Sequence, residues 1–151
     1  MKTVVMWIAI GLVAVVLGLA AYVRLAPTDA ALWHVDPLLV AKPARPSHYL
    51  MRDGDGDAEA LVLTQPAEQV AATLAQIALA TPRTTVVAGE GGFVTYVTRS
   101  ALWGFPDFTS VRILPEGEGS RVTIFARSRF GESDMGVNRK RVDAWLSALR
   151  G

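Results

Sequence analysis

The chain has 151 residues, is 51% hydrophobic, carries 15 Lys and Arg against 14 Asp and Glu, and contains no cysteine. Near-neutral charge excludes a general nucleic-acid binder, whose footprint is a strongly basic domain. The lack of cysteine excludes a disulfide framework and a thiolate metal centre. The length allows one domain of about 100 residues with appendages, enough to bury a core without covalent staples.

The apolar excess is concentrated at the start. Val4 to Val23 contains no charged residue. Twenty residues at about 1.5 Å each give roughly 30 Å, the thickness of a bilayer's hydrocarbon core. Trp7 and Tyr22 lie near the two ends, where aromatic rings favour the headgroup region. Lys2 precedes the run, so the positive-inside rule places the short tail in the cytoplasm, although Arg24 follows on the far side. A cleaved signal peptide is the competing reading. Its apolar region would be long for that class, and Gly18-Leu19-Ala20 is the only plausible cleavage context. The sequence therefore favours an uncleaved anchor over residues 1–24, which makes the membrane the first expected partner.

Residues 25–47 carry Pro27, Pro37, Pro43 and Pro46, too many for a helix of any length, and read as a tether. Within it Trp33-His34-Val35-Asp36-Pro37 is expected to pack on the domain of residues 48–151. Asp53 to Glu59 is an acidic, Gly-rich loop that fails as an EF-hand, because Ala58 and Thr64 stand where Gly and Glu are required. Ala60–Leu63 reads as a short strand, and Gln65 and Pro66 open a helix with a Val70, Leu74, Ile77 stripe. Four β segments follow, Arg83–Ala88, Phe93–Ala101, Phe108–Leu114 and Arg121–Ser128. Gly89–Gly92 and Pro115–Gly119 serve as hairpin loops between them. In the last segment Val122, Ile124 and Ala126 point one way, and Thr123, Phe125, Arg127 and Arg129 the other. A final helix has the stripe Val142, Trp145, Leu146, Leu149. The order β-α-β-β-β-β-α predicts an α+β fold, an antiparallel sheet of about five strands with both helices on one face, in a reduced helix-grip-like arrangement.

Two stretches carry candidate ligand-binding residues. The first runs from Arg127 to Arg141, where glycines bracket Ser133-Asp134 and Asn138 opens a basic helix. Asn138 is expected to cap that helix through its amide oxygen. Arg127, Arg129 and Arg141 are expected either to converge on an anion at the helix start, or to be neutralised by Glu132, Asp134 or Asp107. The second is Leu102-Trp103-Gly104-Phe105-Pro106-Asp107-Phe108. Its aromatics, Trp103 and Phe105 among them, either close the core, line an apolar pocket or form a patch for a partner or the bilayer. His34, Asp36 and His48 lack the spacing of a zinc site, and Ser133 and Asp134 with a distant histidine make only a paper triad. No catalytic set, metal site or cofactor emerges.

Phe105-Pro106-Asp107, Ser128-Arg129, Gly131, Ser133-Asp134, Gly136, Asn138 and Arg141 together resemble the signature of the family known as domain of unknown function 1499. The resemblance extends from about Trp33 to Leu149, and Trp33-His34-Val35-Asp36-Pro37 is similar to its membrane-anchored bacterial form. Met135 stands where leucine is expected. The resemblance implies a single domain beside a membrane span in bacterial envelopes or plastids, and no reaction. The expected function is a non-enzymatic binding or protein-interaction module in the periplasm, anchored in the bacterial inner membrane. Its partner would be an envelope protein or a small anionic or lipid ligand. The alternative is a hydrolase or transferase acting on an anionic envelope substrate through Arg127, Arg129 and Arg141.

Overall fold

A computed structural model describes residues 1–151. Ten elements follow one another: α1 (Lys2–Leu25), α2 (Ala30–Trp33), β1 (His48–Met51), β2 (Leu61–Leu63), α3 (Ala67–Ala80), β3 (Thr84–Glu90), β4 (Phe93–Arg99), β5 (Pro106–Glu116), β6 (Gly119–Ser128) and α4 (Val137–Arg150). α1 is long and apolar enough to cross a membrane. Its side chains are exposed along nearly its whole length, until Val23 enters the domain.

The strands form one antiparallel sheet in the order β1-β6-β5-β4-β3, with β2 pairing beside β1 along the same edge of β6. The fold is α+β, and the sheet has six strands. The strand that the sequence does not announce is β1. It is four residues long and follows Pro43 and Pro46, so neither length nor composition marks it, yet it pairs with Ile124–Arg127. β5 and β6 pair from Asp107–Ser128 to Glu116–Gly119, longer at both ends than expected.

Strict alternation along β4, β5 and β6 sorts the side chains onto two faces. One face carries Tyr49, Val94, Tyr96, Val111, Ile113, Val122, Ile124 and Ala126, packed against Val70, Leu74 and Ala78 of α3 and Val142, Trp145 and Leu146 of α4. Both helices therefore lie on this face, as their stripes require. Trp145 fixes their mutual position: its Nε1 donates to Thr81 Oγ1 at the end of α3 at 2.8 Å, and its ring meets Tyr96 edge-on at 5.7 Å.

The other face is buried too. Thr95, Phe108 and Ser110 are fully inaccessible and Phe125 nearly so. The cover is the Pro-rich segment. Trp33 stacks on Phe108 with centroids 4.0 Å apart, His34 stacks on Phe93 at 3.9 Å, and Pro37 is buried. Gly89 makes room for this, since a Cβ there would lie 2.7 Å from His34 Cε1. Trp33-His34-Val35-Asp36-Pro37 thus packs on the domain as expected and forms its third layer.

Because Trp33 supplies the stacking surface for a fully buried phenylalanine, Trp33→Ala should lower stability by about 3 kcal/mol. Leu39→Ala, at a position 83% exposed in the same segment, should stay within about 0.5 kcal/mol. Thermal or denaturant unfolding of the full chain in detergent checks both.

Candidate functional site

The signature stretch folds into a corner that joins β6 to α4. Asp134 accepts the amide N–H groups of Gly136 and Asn138 on its two carboxylate oxygens, at 3.0 and 2.9 Å. The N-cap position of α4 is Gly136, and the side chain that satisfies the first turn comes from Asp134 two residues before it, so the expectation that Asn138 would cap the helix is corrected. Asn138 begins inside the helix and is fully buried. Its Nδ2 donates to Ser128 Oγ at 3.1 Å, and its Oδ1 accepts from Arg141 Nη1 at 2.9 Å. Ser128 Oγ donates onward to Asp107 Oδ1 at 2.6 Å, and Arg141 Nη2 closes the ring on Asp107 Oδ2 at 2.8 Å. Four side chains from β5, β6 and α4 so satisfy one another in a closed circuit. Ser133 Oγ accepts the Met135 amide N–H, which steadies a turn whose Met135 has φ 52°.

The three arginines do not converge. Arg141 belongs to the helix-bearing face with Asp107, whereas Arg127 and Arg129 alternate onto the face covered by Trp33. Neither Arg127 nor Arg129 has a carboxylate partner, so the expected neutralisation by Glu132, Asp134 or Asp107 holds only for Arg141. Arg127 is 8% exposed and donates to Ser110 Oγ, Phe125 O and Trp33 O, lying over the rings of Phe125 and Trp33. Burial lowers its pKa to about 10. Arg129 donates to Pro27 O at 3.0 Å and lies over Phe130. Arg127 and Arg129 share a cleft of about 250 Å³ with Arg45 and His48, which sequence reasoning did not connect to them.

The histidines stand apart from Ser133. His34 Nδ1 is 2.9 Å from Thr95 Oγ1, and His48 Nδ1 is 2.6 Å from Arg45 O. In the acidic loop, Asp55 pairs with Arg52 and Asp53 with Arg121. The Ala60 amide N–H, with help from Glu59 and Arg121, holds the Asp53 carboxyl below the usual carboxylate range.

The Leu102–Phe108 stretch divides. Phe108 is core, beneath Trp33. Leu102, Trp103 and Phe105 are 72%, 42% and 38% exposed. The cavity of about 460 Å³ under α3 is lined by Ala67, Ala71, Ala75 and Ile113, so these aromatics are not the lip of that apolar pocket. They sit instead at the foot of α1. Arg24 Nη2 donates to Leu102 O at 2.6 Å, Arg99 Nη1 reaches Gly104 O and Val23 O, and Phe130 links Tyr22 to Phe105. Gly104 permits this junction: its φ is 75°, and a Cβ would lie 2.9 Å from Arg24 Cγ. Arg24 entered the sequence reading only through topology, and Arg83 and Arg99 were not singled out. The available signal was the position of Arg24 directly after the apolar run and of Arg99 three residues before Leu102.

These features define an α+β domain with helices on one face of its sheet, a proline-rich layer on the other, and an apolar helix fixed to one end. The chain belongs to the family described as protein of unknown function, DUF1499, which matches residues 35–149. A solved structure, that of TTHA0849 from Thermus thermophilus, is similar at 17% identity and a TM-score of 0.36, covering 68% of this chain and 93% of its own. No curated relative matches the chain.

Asn138→Ala would take the donor from Ser128 Oγ and the acceptor from Arg141 Nη1 in a largely buried site and should cost about 2–3 kcal/mol. Asp134→Ala, which removes a cap, should cost about 1 kcal/mol. Melting curves that reverse this order would contradict the circuit. Arg127→Lys keeps the charge but cannot reach three acceptors at once, and should cost about 2 kcal/mol in the same measurement.

Proposed function

We propose that the protein is a single-pass inner-membrane protein whose domain is a non-enzymatic binding or interaction module resting on the periplasmic surface of the bilayer. One observation carries this reading: the last turn of the apolar helix is built into the domain. Val23 is 3% exposed and Ala26 7% exposed. Arg24, Arg99 and Phe130 tie that turn to the Leu102–Phe105 loop. A domain hung on a free linker would sample many heights above the membrane. A domain fixed to the final turn of a span is held against the headgroups, with exposed Leu102 and Trp103 where amphipathic rings partition.

The polar signature supports a module over an enzyme. Asp107, Ser128, Asn138 and Arg141 are consumed in one another's hydrogen bonds, a stabilising arrangement. The enzyme alternative relied on Arg127, Arg129 and Arg141 acting together on an anionic substrate. It loses support because the sheet separates Arg141 from the other two.

The chain has no native cysteine, so single cysteines can carry spin labels. In bilayer-reconstituted full chain, a label at Leu102→Cys should report the headgroup–acyl boundary by its accessibility to oxygen and nickel chelates. A label at Glu118→Cys, about 30 Å away in the turn beyond the far end of β5, should report water. Alkaline phosphatase fused after Gly151 should be active in cells. A water-exposed Leu102 label would contradict docking on the bilayer, and an inactive fusion would contradict the topology.

A further inference from the structure

Beside the foot of α1 lies a cavity of about 410 Å³ whose lining includes Arg24, Arg83, Arg99, Thr85 and Ser100 and no acidic residue. Its volume falls within the range of about 300–1,000 Å³ common for small-ligand sites. We propose that this cleft binds the phosphodiester headgroup of an anionic phospholipid in the leaflet against which the domain rests. The inference rests on the membrane-surface reading above and adds the ligand class.

Three observations converge on it. The first is unneutralised charge. None of the three guanidiniums forms an ion pair with a carboxylate. Arg24 uses Nη2 on Leu102 O, Arg83 uses Nε on Arg99 O, and Arg99 uses Nη1 on Gly104 O and Val23 O. Each guanidinium has five N–H donors, so most of every fork remains for an anion. Planar forks match phosphate oxygens two at a time. The second is depth. Arg24 directly follows the charge-free run Val4–Val23, which fills the hydrocarbon core. That puts its guanidinium, and the two beside it, at the level of lipid phosphates. The third is the apolar rim. Leu102 and Trp103, exposed next to the cleft, give the acyl chains of a seated lipid a surface to lie on. A soluble anion would need the arginines but not the rim.

Arg83 is the informative position. It is exposed, lies outside the N-terminal clamp contacts, and has a positive φ of 60°, so a side-chain exchange leaves the backbone problem unchanged. A basic residue at an anionic surface contributes about fivefold in affinity.

The test uses purified full chain in neutral detergent, titrated with phosphatidylglycerol or phosphatidylcholine of identical tails and read by native mass spectrometry. One phosphatidylglycerol should be retained in clear preference to phosphatidylcholine. Arg83→Gln should reduce that preference about fivefold, with an unchanged melting temperature. Thr85→Glu, which removes no arginine but places a carboxylate in the cleft, should reduce it at least as much. Equal retention of the two lipids by the wild type, or an unchanged preference in both variants, would overturn the site. Displacement of the lipid by millimolar inorganic phosphate would overturn the commitment to a lipid in favour of a soluble anion. A Leu102 label at bilayer depth without lipid preference removes the headgroup site alone. A water-exposed label removes the membrane-surface reading beneath it.

Discussion

A segment without regular secondary structure must still find partners for its backbone carbonyls when it is buried. In this protein, arginines meet that requirement at five carbonyls between Val23 and Val40. The last turn of α1 and the stretch from Ala26 to Val40, whose only helix is the short α2, join the apolar helix to the sheet. Arg99 reaches Val23 O, Arg129 donates to Pro27 O, Arg127 donates to Trp33 O, and Arg52 donates to both Pro37 O and Val40 O. Four side chains from the domain thereby clamp the N-terminal segment at intervals along its length. Lysine could not substitute for Arg52, Arg99 or Arg127, since only the guanidinium fork serves two or three acceptors from one rigid plane.

Arg127 sets the limit of this design. A charge buried without a carboxylate is costly, and its lowered pKa of about 10 records that cost. Three oxygen acceptors and the faces of Trp33 and Phe125 offset it. One consequence is that the second sheet face can be polar and dry at once: Thr95, Ser110 and Arg127 link hand to hand beneath the aromatic cover. A second consequence is mechanical. Each clamp shortens the free chain between helix and sheet, so the domain end that carries Leu102 and Trp103 is held beside the last turn of α1. The proposed role at a membrane surface depends on that fixed placement, more than on any single side chain in the signature.

Much of this was legible from the residues alone. Alternation in β6 separated Val122, Ile124 and Ala126 from Phe125, Arg127 and Arg129, because a period of two is imposed by the strand itself. The stripe of α4 was equally direct, and the packing of Trp33 followed from the improbability of a bare tryptophan in a linker. What was illegible shares one cause: it depended on partners distant in sequence. β1 is too short to announce itself and exists because the edge of β6 beyond β2 needs pairing. Asn138 looked like a cap because it stands at the helix start. The corner's φ values at Met135 and Gly136 swing Asp134 into that role and turn Asn138 inward. The arginines looked like one cluster because they are neighbours in the chain, whereas the sheet puts Arg141 on the opposite side.

The central claim is that the N-terminal segment belongs to the cooperative fold. Native-state hydrogen exchange on the full chain tests it most directly, at the His34 and Val40 amides, whose own acceptors, Ala30 O and Asp36 O, lie within the segment. If arginine clamps make residues 30–40 part of the core, these amides exchange with the same free energy as those of β5 and β6, through global unfolding. Exchange near the rate of a free peptide, while the sheet stays protected, would show a tether merely resting on the domain and contradict the account.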